Sequence, residues 1–217
     1  MESLWISNYL LIGIAAFCAG MLNALAGGGT FLTLPSLIFI GVPPVTANAT
    51  SATALLPGYL GAAFGYKDIF KDIDKIYLTK LLALVTIASL FGAFLLVKTP
   101  NSTFLNLAPW LIFIATLLFI LSPYLTNKAN ESSGSNKFVP STSVLIVGGY
   151  GGYFNGGLGI ALLAVLSLNP STSLSQTIAL KSLMSFILTI VSVIFFSVNG
   201  LVKWPLALSM MLLSTLG

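Results

Sequence analysis

The sequence lacks histidine and arginine, and it contains a single cysteine, Cys18. Histidine is the commonest metal ligand and a frequent general base. One cysteine can form neither an intrachain disulfide nor a metal site of several thiolates. The sequence therefore predicts no catalytic residues, no metal site and no cofactor.

Acidic residues are also scarce, because charged residues make up only 6% of the chain and five of them are acidic. All five fall at the N-terminus or in polar connections, at Glu2, Asp68, Asp72, Asp74 and Glu131. Proton-coupled pumps and hydrolytic membrane enzymes normally carry buried carboxylates or histidines. Coupling to protons and catalysis are thus disfavoured, while sodium coupling through neutral oxygens and facilitated diffusion stay open.

Apolar residues dominate what is present, at 57% of the chain with a mean hydropathy of +1.01. Soluble domains have about a quarter of their residues charged, so this composition predicts an integral membrane protein. Most of the apolar runs reach the ~20 residues that a membrane-spanning helix needs, and they lack the alternation of a barrel strand. We expect an all-α, multi-pass bundle. The formal charge of +4 comes from nine lysines, a pattern that fits membrane orientation rather than nucleic-acid binding.

Two glycine motifs interrupt long apolar runs, NALAGGG at 23–29 and NGGLG at 155–159. Secondary transporters built from two repeats bind substrate where helices are broken at corresponding places. Helix starts after such breaks offer backbone amides to an anion. We therefore expect discontinuous helices whose breaks meet near the membrane centre. The predicted substrate-binding residues there are Asn23, Gly27, Gly28, Gly29, Asn155, Gly157 and Gly159.

The chain divides into a first repeat at 1–125, a polar linker at 126–141 and a second repeat at 142–217. Lysines in the linker and at 67–75 indicate that both segments face the cytoplasm. If each broken segment crosses the membrane once, the repeats are parallel. If each crosses it twice, the repeats are inverted. The positions of the lysines modestly favour one net crossing. Aligning Gly27 with Gly157 leaves the second repeat short by roughly one spanning helix. We expect an open groove at its place, or a partner chain that fills it.

Lys181 stands deep in an apolar run with no acidic residue nearby in sequence. An ammonium group there is costly unless it reaches water, the interface or an anion. Snorkelling to the interface is one explanation, and a functional cation that faces the substrate is the other. The same alignment of the two halves, with a shift of one residue, aligns Lys181 with Thr50. The residues expected to neutralise or hydrogen-bond the anion are Asn48, Thr50, Ser51, Lys181 and Ser182.

At these motifs the sequence resembles the TauE/SafE family of sulfite exporters and related membrane transporters. The resemblance rests on residues 19–29, Pro35, 41–44 and 47–51 in the first half, and on 156–159, 179–182 and the turn from Asn199 to Trp204 in the second. It implies export of a small anion such as sulfite or an organosulfonate.

The interpretation from sequence is a secondary transporter in a bacterial-type inner membrane, moving a small anion by alternating access. Its expected partners are that anion and the lipid bilayer, without nucleic acid, and a homo-oligomer is left open. Two alternatives stand beside it: a membrane-embedded enzyme and a non-transporting structural subunit. Neither alternative predicts saturable flux.

Overall fold

A computed structural model of the protein describes residues 2–25, 27–131, 139–169 and 172–217. Within these ranges the regular secondary structure is entirely helical, which confirms the all-α class. The nine α-helices are α1 (Glu2–Leu25), α2 (Thr30–Phe39), α3 (Pro44–Gly65), α4 (Lys75–Lys98), α5 (Asn101–Glu131), α6 (Ser141–Tyr153), α7 (Leu158–Leu166), α8 (Leu174–Val198) and α9 (Trp204–Leu216). A short 3₁₀ turn, Ile69–Asp72, precedes α4. Helix α5 covers 126–131 of the predicted linker, whose residues 132–138 lie outside the described ranges.

Local signals in the sequence set where several helices begin. Helix α3 starts with Pro44 in its first turn, a position where proline sacrifices no helical hydrogen bond. The Asp74 carboxylate accepts hydrogen bonds from the amides of Ile76 and Tyr77 at the start of α4. Ser173 and Gln176 form a capping box at the start of α8. Among the described residues, α4 and α8 are long and apolar enough to cross a membrane.

The two glycine motifs lie at the tips of helical hairpins. Helices α1 and α2 pack against each other on either side of residues 26–29, and α6 and α7 do so on either side of residues 154–157. The start of α1 and the end of α2 lie together, since Tyr9 and Val42 line one pocket. Val144 and Leu166 likewise share one apolar cluster near the open end of the second hairpin.

The bundle has two ends, which we name by their residues. The lysine end contains the connection 66–74, and the opposite end contains residues 40–43, 99–100 and 199–203. At the lysine end, Ile73 and Tyr77 share an apolar cluster with Leu180 of α8. At the opposite end, the amide of Lys203 donates to the Thr50 hydroxyl at 3.1 Å. Helix α3 therefore starts where α8 ends, and the two helices run antiparallel.

Glycines let the helix pairs α1–α9 and α6–α4 approach closely. A Cβ added at Gly20 would lie 2.1 Å from the Ser214 carbonyl oxygen, and one added at Gly152 would lie 2.3 Å from that of Ser89. No side chain fits at such distances, so the backbones themselves form these crossings.

An open apolar groove of about 520 Å³ runs along the outer face of the α1–α2 hairpin. It is lined by Leu11, Ile14, Ala15, Cys18, Leu32, Pro35, Ser36 and Phe39. The α6–α7 hairpin instead carries α5 on its surface, where the Tyr150 hydroxyl donates to the Leu111 carbonyl at 3.3 Å. That this groove is the place of the expected further helix, or of a partner chain, stays a prediction.

Candidate functional site

The two hairpin tips meet inside the bundle. A Cβ added at Gly27 would lie 2.5 Å from the Cα of Gly159, so the two backbones are in direct contact. Gly27 has φ of 81° and Gly157 has φ of 70°, both in the left-handed region that glycine adopts without steric cost. Gly157 also packs against α2, since its Cβ would lie 3.1 Å from the Phe31 ring. The two motifs therefore meet at Gly27 and Gly159, whereas Gly28 faces Phe31 and Gly29 faces Ala19 and Leu55.

An asparagine flanks each tip. Asn23 is 6% exposed and Asn155 is 3% exposed, and Asn155 adopts a left-handed φ of 57°. In the described part of the chain, both side-chain amide atoms of Asn155 have no hydrogen-bond partner, whereas the Asn23 side chain interacts with the Tyr59 hydroxyl of α3. Buried amides are normally satisfied, and each exception asks for an explanation. Unpaired amide groups beside a glycine break can bind a polar ligand.

The polar residues of α3 serve mostly as contacts between helices. The Asn48 side-chain amide donates to the Tyr153 carbonyl at 2.9 Å, at the end of α6. The Ser51 hydroxyl pairs with the Thr33 hydroxyl of α2, and the Thr50 hydroxyl accepts from the Lys203 amide. Of the side-chain atoms of Asn48, Thr50 and Ser51, the Asn48 Oδ1 has no partner among the described residues. In this conformation Thr50 and Ser51 therefore hold helices together.

Lys181 is buried on α8, with 5% of its surface exposed. Its ammonium group has no hydrogen bond or ion pair within the described residues, and the recorded salt bridge joins Lys71 and Asp68 at the surface. Burial disfavours the snorkelling explanation, because a snorkelling ammonium lies at the interface. The neighbouring Ser182 hydroxyl donates to the Ile178 carbonyl of its own helix at 2.9 Å. The roles of Lys181 and Ser182 toward a ligand stay predictions.

Four further buried serine and threonine residues have no hydrogen-bond partner in the described chain, and no motif in the sequence marks them. Thr30 starts α2 directly after the first break, and the others lie on α8: Ser185, Thr189 and Ser192. Their signal in the sequence is polar residues repeating every three or four positions in an otherwise apolar run. Lys181 is the more conspicuous feature of the same run, so the pattern by itself does not distinguish these residues.

No group of three or more acidic, histidine or cysteine residues in the described ranges could hold a metal ion. The candidate site consists instead of neutral amide groups, hydroxyl groups and backbone atoms, and the nearby helix α8 carries Lys181. Such a set can hydrogen-bond and partly neutralise an anion, but it offers no carboxylate for acid or base catalysis.

Comparison with known proteins assigns this architecture to a family. The sequence profile of the family described as Sulfite exporter TauE/SafE matches residues 12–217. The chain belongs to this family. The match confirms the resemblance found at the glycine motifs.

Curated relatives of this TauE/SafE chain carry transporter names. The probable membrane transporter protein of Haemophilus influenzae is 27% identical over 93% of this chain and 78% of that protein. The probable membrane transporter protein YfcA of Escherichia coli is 27% identical over 100% of this chain and 81% of that protein. The comparison with solved structures gave no match. Family and names together support a membrane transporter.

Proposed function

We propose that this chain is a multi-pass transporter of the inner membrane that exports a small anion, sulfite or an organosulfonate, by alternating access. Membership of the TauE/SafE family supports transport, and the family's description supports a sulfur oxyanion. The observation that carries the proposal is the contact between Gly27 and Gly159, with the unpaired side-chain amide of Asn155 beside it.

We further propose two inverted repeats, in which α1–α4 correspond to α6–α9. Two pairs of glycine contacts support this correspondence. Gly20 meets Ser214 and Gly217 meets Phe17, whereas Gly152 meets Ser89 and Gly92 meets Gly149. In each helix of the two pairs, the two contacting residues are three positions apart, as Phe17 and Gly20 are on α1 and Gly149 and Gly152 are on α6. The α1–α9 and α6–α4 crossings therefore have the same geometry.

This register pairs Asn23 with Asn155 and Gly27 with Gly159, because each asparagine follows Gly20 or Gly152 by three positions. It differs by two residues from the sequence alignment of Gly27 with Gly157. The antiparallel course of α3 and α8 supports inversion, the alternative that the lysine count did not favour. Each broken segment then enters and leaves at the same end of the bundle, as a hairpin.

The substrate site in this proposal lies where the tips of the two inverted repeats meet. An oxyanion accepts hydrogen bonds on every face, and the site offers amide donors from Asn155 and from backbone at the helix starts. Lys181 supplies positive charge from α8. In inverted-repeat transporters the site stays near the midplane while one repeat rocks against the other. The Lys203–Thr50 hydrogen bond at the opposite end would break when that end opens.

Flux measurements in proteoliposomes test the proposal. We expect saturable sulfite flux from the purified chain, with counterflow when unlabelled sulfite is present on the far side. Imposed sodium and proton gradients then identify the coupling ion. A membrane enzyme or a structural subunit would give no saturable flux, and that outcome would reject transport.

A further inference from the structure

Helix α8 carries a stripe of buried polar residues. In a helix with 3.6 residues per turn, positions that recur at intervals of four and three stay on one face. Lys181, Ser185, Thr189 and Ser192 follow this spacing, with 5%, 0%, 0% and 2% of their surfaces exposed. Among the residues whose side chains the structure describes, Lys181 is the only charged one that is buried.

The three hydroxyls of the stripe do not make the usual bond to their own helix. Ser and Thr in helices commonly donate to the carbonyl four residues earlier. Thr53 does so at 2.7 Å and Ser197 at 2.6 Å. Ser185, Thr189 and Ser192 are buried without any partner among the described residues. A buried hydroxyl without a partner destabilises the folded protein, so three in succession on one face call for a role.

The stripe passes beside both hairpin tips. Leu188 lies next to the second hairpin, since a Cβ added at Gly151 would lie 3.0 Å from its Cδ1. Phe186 packs with Ala19 and Leu55, and the carbonyl of Ala19 lies 2.6 Å from a Cβ added at Gly29. Residues 185–189 of α8 are therefore level with the two glycine breaks.

We propose that Ser185, Thr189 and Ser192 line the path of the transported anion, and that Lys181 marks its mouth toward the lysine end. The inference rests on the proposed function and extends its site along α8. Hydroxyl groups can serve either an oxyanion or a sodium ion, but Lys181 shares their face and repels a cation. The stripe is therefore an anion path that continues from the lysine end past the hairpin tips.

Cysteine substitution tests the path without requiring flux. In a Cys18→Ala background, Ser185→Cys, Thr189→Cys and Ser192→Cys are treated with sulfonatoethyl methanethiosulfonate, which is itself an organosulfonate anion. Thr53→Cys is the matched control, because Thr53 is equally buried but bonds to its own helix. We expect the three stripe cysteines to react at least about tenfold faster than the control, since thiol reactivity follows access. Adding Lys181→Met should slow the anionic reagent but not its trimethylammonium analogue, because only an anion is attracted by the lysine.

Equal reactivity at all four cysteines would overturn the path. Preference for the cationic reagent over the anionic one would overturn its selectivity. Sulfite flux of the Ser185→Ala, Thr189→Val and Ser192→Ala variants provides a second measurement, with Thr53→Val as control. If the wild-type chain gives no flux while the stripe cysteines react, the transport proposal fails and the anion path stands. If the wild-type chain transports but the stripe cysteines are as inert as the control, transport stands and the path fails.

Discussion

Gly27 and Gly159 touch backbone to backbone, and this contact joins the two helical hairpins of the protein. A Cβ at Gly27 would lie 2.5 Å from the Cα of Gly159, a distance too short for any side chain at this position. The two tips come from hairpins that open at opposite ends of the bundle. The contact is therefore the point where segments distant in sequence become one site.

Replacing Gly27 by alanine should destabilise the protein. Its φ of 81° lies in the left-handed region, which costs a residue with a Cβ roughly 1–2 kcal/mol, and the overlap with Gly159 adds to this. The apparent Tm in detergent should fall clearly. Gly61→Ala is the control, because Gly61 is helical and a Cβ there would have no neighbour within 4 Å. A Tm for Gly27→Ala equal to that of the control would contradict the tip contact.

Two substitutions of Asn155 distinguish the effect of backbone strain from the loss of ligand binding. Asn155→Gly keeps the left-handed conformation accessible and removes the amide, so we expect normal stability and weakened sulfite binding. Asn155→Ala removes the amide and also strains the backbone at φ of 57°, so it should lower both binding and Tm. Isothermal titration and thermal unfolding distinguish the two effects. Unchanged binding in Asn155→Gly would remove this residue from the site.

Lys181→Met should weaken anion binding while leaving the protein folded in detergent. The loss of a charge-assisted hydrogen bond of ~1.5–3 kcal/mol corresponds to roughly 10- to 150-fold in affinity. Lys203→Met is the control, because the Lys203 side chain is exposed and its backbone amide, which bonds to Thr50, is retained. Sulfite affinity and its salt dependence are the measurements. If both variants bind like the wild type, the anion site consists of backbone and amide groups alone.

Inverted repeats predict labelling from opposite sides of the membrane. In a Cys18→Ala background, Lys71→Cys lies at the lysine end and Lys203→Cys at the opposite end. A membrane-impermeant maleimide should label Lys203→Cys in intact spheroplasts and Lys71→Cys only in inside-out vesicles, since lysine-rich connections face the cytoplasm. Labelling of both from the same side would favour parallel repeats.

Much of the fold could be read from local pattern. The apolar runs, Pro44, Asp74 and the Ser173–Gln176 box mark helices close to those in the structure, because helix formation and capping depend on neighbours in sequence. The glycine motifs indicated the breaks for the same reason. Buried hydroxyls on α8 were missed, since their importance depends on whether a partner lies nearby in space.

The sequence by itself determined a helical membrane protein with two glycine breaks and a sparse set of polar residues, because composition and periodicity are properties of the chain alone. Only the tertiary structure decided that the breaks are hairpin tips in contact and that α3 and α8 run antiparallel. It also decided that Thr50 holds the start of α9 and that Lys181 is buried with no partner among the described residues. These facts depend on how distant helices pack. Local preference does not determine which backbones meet. Close approach at Gly20, Gly27 or Gly152 depends both on the glycine and on the backbone segment that packs against it.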